Sequence, residues 1–462
     1  MKLSRMNKVH FVGIGGIGMS GIAEVLLTMG FTVSGSDVKE SPVTEALQAH
    51  GARVALGHAA QNVHGVDVVV YSSAVTPRNP EVAEARRLGT PVIPRAEMLA
   101  ELMRMKSAVA VAGSHGKTTV TAMVAHCAHH AGLDPTVVIG GRLSTLGASA
   151  RLGKGDLVVA EADESDRSFL LLFPTLAVIT NIDWEHVDCY PNLKEIQEAF
   201  LDFANRVPFY GATVACMDDP NLQPLLPRFR RRVVTYGVAA SADYRAVPVS
   251  SGPAGEVFGV RVRGEERGEV RLSQVGRHML LNATAAVAVG EELGIPFAAL
   301  AGSLACFPGA DRRFQARGEA AGVRVVDDYG HHPTEIRATL DTARKVVGAG
   351  RVVVLFQPHR YTRLAALLDD FARAFHGADL VVVTEIYAAS EAPIPGVTGE
   401  ALARQAAALG HRGVHFCPDV ADLPAFAAPL LREGDLVITQ GAGNITGVGD
   451  RLLALLREGR RG

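Results

Sequence analysis

Ala108-Val109-Ala110-Val111-Ala112 runs directly into Gly113-Ser114-His115-Gly116-Lys117-Thr118-Thr119, and a helical pattern follows from Thr119 to Ala131. Five small apolar residues in a row read as a buried strand of a parallel sheet, and the glycines supply the turn that ends it. Strand, glycine loop and helix in that order gather free backbone N–H groups and a helix N-terminus at one point, a cradle for phosphate oxygens. Lys117 is placed to neutralise the β and γ oxygens of a nucleoside triphosphate, and the Thr118 hydroxyl to ligate its magnesium ion. The loop is a shortened version of the G-x-x-x-x-G-K-[ST] pattern, because Val111 stands where that pattern has glycine.

Two polar stretches extend this reading. Leu157 to Ala160 reads as a strand ending in Glu161-Ala162-Asp163-Glu164-Ser165-Asp166, and Leu176 to Ile179 as another ending in Thr180-Asn181-Ile182-Asp183-Trp184-Glu185-His186. Carboxylates at the C-terminal edge of a parallel sheet, beside a phosphate loop, are expected to hold Mg²⁺ or its waters, since magnesium prefers hard oxygen donors. His186 is a candidate ligand for a second ion through a neutral imidazole.

Upstream, Val9 to Val12 leads into Gly13-Ile14-Gly15-Gly16-Ile17-Gly18, with Asp37 beyond. A G-x-G-x-x-G loop between strand and helix reports a diphosphate on a helix N-terminus and a ribose hydroxyl held by a carboxylate. The dinucleotide of an NAD-dependent oxidoreductase satisfies it, and a uridine diphosphate satisfies it equally. Lys2, Arg5 and Lys8 before an apolar run superficially resemble a signal peptide, but the glycines and the missing small-residue cleavage site favour a strand and loop.

With 462 residues, 48% hydrophobic and 20% charged, the chain is expected to fold as several domains. A formal net charge of -2 gives no general attraction for nucleic acid or anionic membrane. No apolar stretch approaches the ~18–20 residues needed to cross a bilayer, so no membrane insertion is expected. Cys127, Cys189, Cys216, Cys306 and Cys417 form no C-x-x-C pair, which argues against a zinc site and a disulfide framework and fits a reducing cytoplasm. Strand and helix patterns alternate, restarting near residue 107 and again near 311, where Val323 to Val326, Val352 to Phe356, Leu380 to Val383 and Leu436 to Ile438 read as strands. The expectation is an α/β protein of three domains. These are a Rossmann-like N-terminal domain (1–106), a central P-loop ATPase-like domain with a parallel or mixed sheet (107–310) and a C-terminal Rossmann-like domain (311–462).

Taken in order, the motifs resemble the Mur ligases across nearly the whole chain. They are HFVGIGGIGMSGIA (His10 to Ala23), GSHGKTT (Gly113 to Thr119), EADESD (Glu161 to Asp166), TNID..H.D.Y (Thr180 to Tyr190), RRF (Arg312 to Phe314), DDYGHHPTE (Asp327 to Glu335) and PHRYTR (Pro358 to Arg363). The resemblance implies a UDP-binding first domain, a central ATPase domain and a third domain that closes over the site. It implies an amide-bond-forming ligase using ATP and Mg²⁺, which joins UDP-N-acetylmuramate to L-alanine through an acyl phosphate. A relative of the same class, in peptidoglycan recycling, attaches a preformed tripeptide instead. The chain is expected to be a monomer or homodimer.

By the same resemblance, Gly113, Ser114, His115, Gly116, Lys117, Thr118 and Thr119 hold ATP, joined by Asn282 at the adenine and by Arg313 and Asp328 from the third domain. Thr118, Glu161 and His186 ligate magnesium. Lys117, His186, Tyr329, His331, Arg360 and Arg363 surround the reacting carboxylate, its phosphate and the amino acid. Gly13, Gly15, Gly16, Gly18, Asp37, His58, Ser72 and Ser73 are expected near the UDP. Met279 departs from the family, which usually has asparagine there, and Trp184 and Val187 depart beside His186. Leu201 occupies the place where several sister ligases carry a carbamylated lysine.

Overall fold

The structure is a computed structural model that describes residues 7–72, 75–76, 78–139, 150–151 and 153–458. Apolar runs long enough to be buried on both faces become the strands of three separate sheets. In the first, β1 (Lys8–Val12), β2 (Thr32–Asp37), β3 (Arg53–Leu56), β4 (Val68–Tyr71) and β5 (Val92–Pro94) are all parallel, in the order β3-β2-β1-β4-β5. The order reverses at β1, so the Gly13–Gly18 loop leaves the sheet at its switch point, where open α/β sheets place ligands.

The second sheet contains β6 (Ser107–Ala112), β7 (Thr136–Val138), β8 (Ala150–Arg151), β9 (Leu157–Glu161), β10 (Leu176–Ile179), β11 (Ala212–Cys216) and β12 (Val233–Gly237). It continues into a meander of β13 (Tyr244–Gly252), β14 (Gly255–Val262) and β15 (Glu265–Leu272), giving the order β15-β14-β13-β12-β11-β10-β6-β9-β7-β8. β6 lies between β9 and β10 and parallel to both, so the phosphate loop is flanked by Glu161 on one side and by the segment after Ile179 on the other.

The third sheet has the order β16-β17-β21-β18-β19-β20, from β16 (Gln315–Ala320), β17 (Val323–Asp328), β18 (Val352–Phe356), β19 (Leu380–Val383), β20 (Val414–Phe416) and β21 (Leu436–Gln440). The edge strand β16 is antiparallel to β17, a departure from a purely parallel third unit. β17 and β18 end at Asp328 and Phe356, delivering the DDYGHHP and PHRYTR segments to one edge of that sheet.

One contiguous apolar core runs through the first two sheets, joined by Met98, Leu99, Leu102 and Met103 of the helix Arg95–Arg104. The third sheet has its own clusters on its two faces. Among the described residues no helix is long and apolar enough to cross a membrane.

Candidate active site

The phosphate loop has a left-handed backbone at its two glycines, with φ of +132° at Gly113 and +84° at Gly116. A Cβ on Gly113 would collide with Thr180 Oγ1, and one on Gly116 would lie 2.8 Å from Asn282 Oδ1. Both positions therefore exclude a side chain by backbone conformation and by space. β10's extension clamps the loop from one side. Thr180 Oγ1 donates to His115 O (2.5 Å), Asn181 Nδ2 donates to the same carbonyl (3.0 Å), and His115 N–H donates to Asn181 Oδ1 (2.8 Å). Ser114 Oγ accepts from Asp183 N (2.8 Å).

Lys117, the first residue of the helix Lys117–His130, turns back over the loop. Its Nζ donates to Gly113 O (2.7 Å), Ser114 O (3.2 Å) and Glu164 Oε1 (2.8 Å). Burial works against its charge, but the carboxylates of Glu164, Glu185, Asp163 and Glu161 outweigh that and raise its pKa. Thr118 Oγ1 donates to Glu161 Oε1 (3.1 Å), so the two expected magnesium ligands meet. His186 Nε2 lies 3.4 Å from Glu164 Oε1 and 3.8 Å from Glu185 Oε1. Glu164, Glu185 and His186 offer three ligand atoms all within 4.8 Å of one another. Burial opposes the ionisation of Glu185, yet His115, His186, Lys117 and Arg363 bring its pKa down to about 2. Glu185 was not singled out as a ligand from sequence, although it adjoins His186.

The third sheet closes on this edge through polar side chains. Asp183 Oδ2 accepts from Thr334 Oγ1 (2.7 Å) and lies 3.2 Å from His115 Nε2. His115 Nδ1 lies 3.4 Å from Glu335 Oε1, which is 3.5 Å from Arg313 Nη1. Burial disfavours the imidazolium, but hydrogen bonds to Asp183 and Glu335 prevail and push His115 up to about 10. His115 is thus a charged bridge between two carboxylates on opposite sides of the joint. His332 differs: burial and the His115 charge lower its pKa, and its Nδ1 accepts from Thr334 N as the cap of the helix Pro333–Val347. Glu335 completes that capping box, which masks its second role when the sequence is read alone.

Arg313 and its neighbour Arg312 part ways. Arg312 is fixed by Asp327 (2.9 Å) and Gly441 O (2.6 Å), whereas Arg313 faces the joint, and both guanidinium groups lie over the Tyr329 ring. Arg313, Asp328, Asn282, Met279, His115 and Gly116 line a cleft of about 870 Å³ between the second and third sheets. Asp328 is fixed by N–H donors from Phe314 (2.9 Å) and Gly330 (2.8 Å). Arg363 is buried, with Nη2 4.0 Å from Glu185 Oε2 and Nε unpartnered, and Arg360 Nη1 lies 3.6 Å from Asp188 Oδ2. His331 donates from Nδ1 to Tyr329 O (3.1 Å), and burial together with the Arg363 charge holds it down at about 3, a neutral imidazole. Its ring packs edge-on to His359 (5.7 Å), which stacks on Tyr387.

In the first sheet, Asp37 turns inward: Gly15 N–H donates to its Oδ2 (2.8 Å), tying the glycine loop to the end of β2. Gly18 leaves room for Arg95, whose Nη1 would sit 2.7 Å from an added Cβ. His58 Nδ1 lies 2.8 Å from Ser36 Oγ and 3.3 Å from Glu81 Oε2, so a fully buried carboxylate orients it. Neither Arg95 nor Glu81 stands in a recognisable pattern. Ser72 packs beside Gly13, and Ser73 lies outside the described residues.

A phosphate loop flanked by carboxylates, facing arginines across a polar joint between two α/β lobes, has the architecture of an ATP-dependent ligase that activates a carboxylate. Residues 8–107 match the Mur ligase family catalytic domain, 111–290 the Mur ligase middle domain, and 312–443 the Mur ligase glutamate ligase domain. The chain belongs to the Mur ligase family of ATP-dependent ligases. Within it, the chain is 56% identical over 459 residues to the UDP-N-acetylmuramate–L-alanine ligase of Solibacter usitatus, covering 99% of this chain and 97% of that one. It is 57% identical over 450 residues to the Myxococcus xanthus ligase of the same name, covering 97% of this chain and 95% of the other. Among solved structures it resembles the UDP-N-acetylmuramate–alanine ligase MurC of Thermotoga maritima, with a TM-score of 0.80, 32% identity, and coverage of 98% and 99%.

Proposed function

We propose that the chain joins L-alanine to the carboxylate of UDP-N-acetylmuramate, consuming ATP and releasing ADP and phosphate. The observation that carries this reading is its 56% identity, over 459 residues, to a relative named for that reaction. The muramyl carboxylate oxygen attacks the γ-phosphorus, the bond to the β–γ bridging oxygen breaks, and ADP leaves. The uncharged amine of alanine then attacks the acyl carbon, inorganic phosphate departs with the C–O bond, and the amine gives up a proton.

Attack by an anion on a polyanion meets like-charge repulsion, so the positive groups are the ones with work to do. Lys117 holds the β and γ oxygens, Arg313 approaches the nucleotide from the third lobe, and Arg360 and Arg363 face the transferring group and the amino acid. Asn282 reads the adenine, with Met279 supplying an apolar contact where the family has a polar one. The donor set fits a hard dication: Glu164, Glu185 and His186 converge, Thr118 pairs with Glu161, and Glu164 Oε2 is buried without a partner. Mg²⁺ held there supplies charge neutralisation of the phosphoryl oxygens. His331, with Nδ1 committed to Tyr329 O, presents Nε2; a pKa near 3 suits orienting the amine better than storing its proton. In the first lobe the Gly13–Gly18 loop and Asp37 receive the uridine diphosphate, with Arg95 and His58 beside it. Among the described residues no helix is long and apolar enough to cross a membrane, and this reading puts the reaction in the cytoplasm.

The test is ADP release with purified chain, Mg²⁺ and ATP, comparing UDP-N-acetylmuramate with L-alanine against the same sugar with a tripeptide. Release is expected only when the sugar and L-alanine are both present. Release only with the tripeptide overturns the assignment.

A further inference from the structure

The spacing of the cysteines argues against zinc, but the fold brings one of them to two histidines far from it in sequence. His126 and His130 lie one turn apart on the phosphate-loop helix, Lys117–His130, near the end opposite Lys117. Cys306 caps the neighbouring helix Phe297–Ala305 and is exposed. His126 Nε2 lies 3.7 Å from Cys306 Sγ, and one ligand atom from each of the three residues lies within 4.8 Å of the others. Tetrahedral zinc, with Zn–N near 2.0–2.1 Å and Zn–S near 2.3 Å, separates a nitrogen from a sulfur by roughly 3.6 Å, which this pair already matches. We infer that His126, His130 and Cys306 form a surface site for a zinc-class divalent cation, with water in the fourth position.

Hydrogen bonds around the three side chains support it. His130 Nδ1 is 2.9 Å from the His126 carbonyl, so its N–H donates there and leaves Nε2 as the ligand atom, the arrangement by which metal-bound imidazoles are oriented. Ser303 O accepts from His126 Nε2 (3.0 Å) and from the Cys306 thiol (3.3 Å), which gathers these two side chains before any ion arrives. On binding, the thiol proton goes to solvent, the His126 proton moves to Nδ1, and both bonds to Ser303 O are exchanged for bonds to the metal. One imidazole is sufficient to satisfy the Ser303 carbonyl, yet a second imidazole and a thiol each bring a ligand atom within 4.8 Å of the others. The donor set, two nitrogens and a sulfur, selects zinc-class ions over magnesium, so this site is chemically separate from the carboxylate-rich one at the phosphate loop.

Titration of the full chain with Co²⁺ under a non-coordinating reductant tests this, because a thiolate-to-cobalt charge-transfer band arises only if a cysteine binds. One equivalent is expected to produce the band and Zn²⁺ to abolish it. Cys306→Ser is expected to lose the band while keeping the rate of ADP release. His130→Ala is expected to weaken cobalt at least ~100-fold, the upper end of what loss of an outer-shell partner costs. Absence of the band in the unaltered chain, or its survival in Cys306→Ser, overturns the assignment. If Cys306→Ser proves unfolded, an unchanged cobalt affinity in His130→Ala overturns it instead.

Discussion

Lys117→Met removes the cation from a buried pair. Glu164 is fully buried and accepts from Nζ at 2.8 Å; with the lysine gone, its remaining cationic neighbour is His186, 3.4 Å away. Breaking a buried ion pair from one side costs about 3–5 kcal/mol, because the surviving charge stays buried. His186 shares part of that charge, which places the loss at the lower end, about 3 kcal/mol. A unit of this size shifts its thermal midpoint by about 2–4 °C per kcal/mol, so the nucleotide-free variant should melt roughly 6–12 °C lower. Lys117→Met combined with Glu164→Gln leaves no orphan charge and should recover most of that loss. Catalysis should not recover, since the cation for the transferring phosphoryl group is missing in both variants; ADP release should fall roughly 10²–10³-fold in each. Scanning fluorimetry without nucleotide and a coupled ADP assay separate the two quantities. A single variant as stable as the parent, or a double variant no more stable than the single, refutes the buried-charge reasoning. Recovery of turnover in the double variant refutes the catalytic role.

Asp219 tests the electrostatics of the same cleft by pH. Burial pushes its pKa up to about 6, with a smaller contribution from Asp183, and a raised carboxyl stabilises the fold most below its unfolded pKa of 3.8 and loses that contribution as pH climbs through about 6. Asp219→Asn keeps an Oδ1 acceptor for Leu222 N (2.8 Å) and Ile182 N (3.3 Å), so its melting point should exceed the parent's near pH 8 and converge with it towards pH 4; a pH-independent difference contradicts this. For the cation site, a chelator should abolish ADP release reversibly, and Glu185→Gln should raise the Mg²⁺ needed for half-maximal rate at least ~10-fold, whereas an unchanged requirement removes Glu185 from the site.

The phosphate loop was legible because every part of its signal is local: an apolar strand, glycines where the backbone is left-handed, and a helix directly after. β16 and β20 were not legible for a physical reason. Gln315–Ala320 reads QARGEA, the half-solvated pattern of an edge strand, and Val414–Phe416 is three residues long, so neither has the apolar run that marks a central strand. The polar segment Asn181 to His186 showed that a site was present but not which side chains enter it. That is set by the turn at His186, a non-glycine residue at φ +54°, which spacing does not encode. Arg312 and Arg313 make the same point, since adjacent identical residues take a structural and a joint-facing role once the backbone turns at Arg312, φ +58°. The pairing of His115 with Glu335 joins two lobes far apart in the chain, and no local pattern carries it.

The way the lobes are joined explains why these long-range pairs matter. The first two lobes share an apolar core, and none of the apolar clusters among the described residues crosses to the third. That joint depends instead on His115 between Asp183 and Glu335, Thr334 on Asp183, Arg360 beside Asp188, and Arg363 reaching towards Glu185. Glu185 and Arg363 are buried and His115, Asp183 and Glu335 partly so, and a buried charge without a partner is costly, so these groups satisfy one another. On the proposed reading, a triphosphate and its cations entering this cleft would compete for the same atoms: phosphate oxygens would displace Glu164 from Lys117, and a dication would displace the cationic side chains from the carboxylates. Nucleotide binding would then be an exchange of partners, and an exchange on Asp183, Glu185 or Glu335 would act on a contact that also joins the third lobe to the second. If the third lobe closes on the nucleotide as the family resemblance implies, these shared carboxylates would couple closure to nucleotide affinity, with no separate transmission path required.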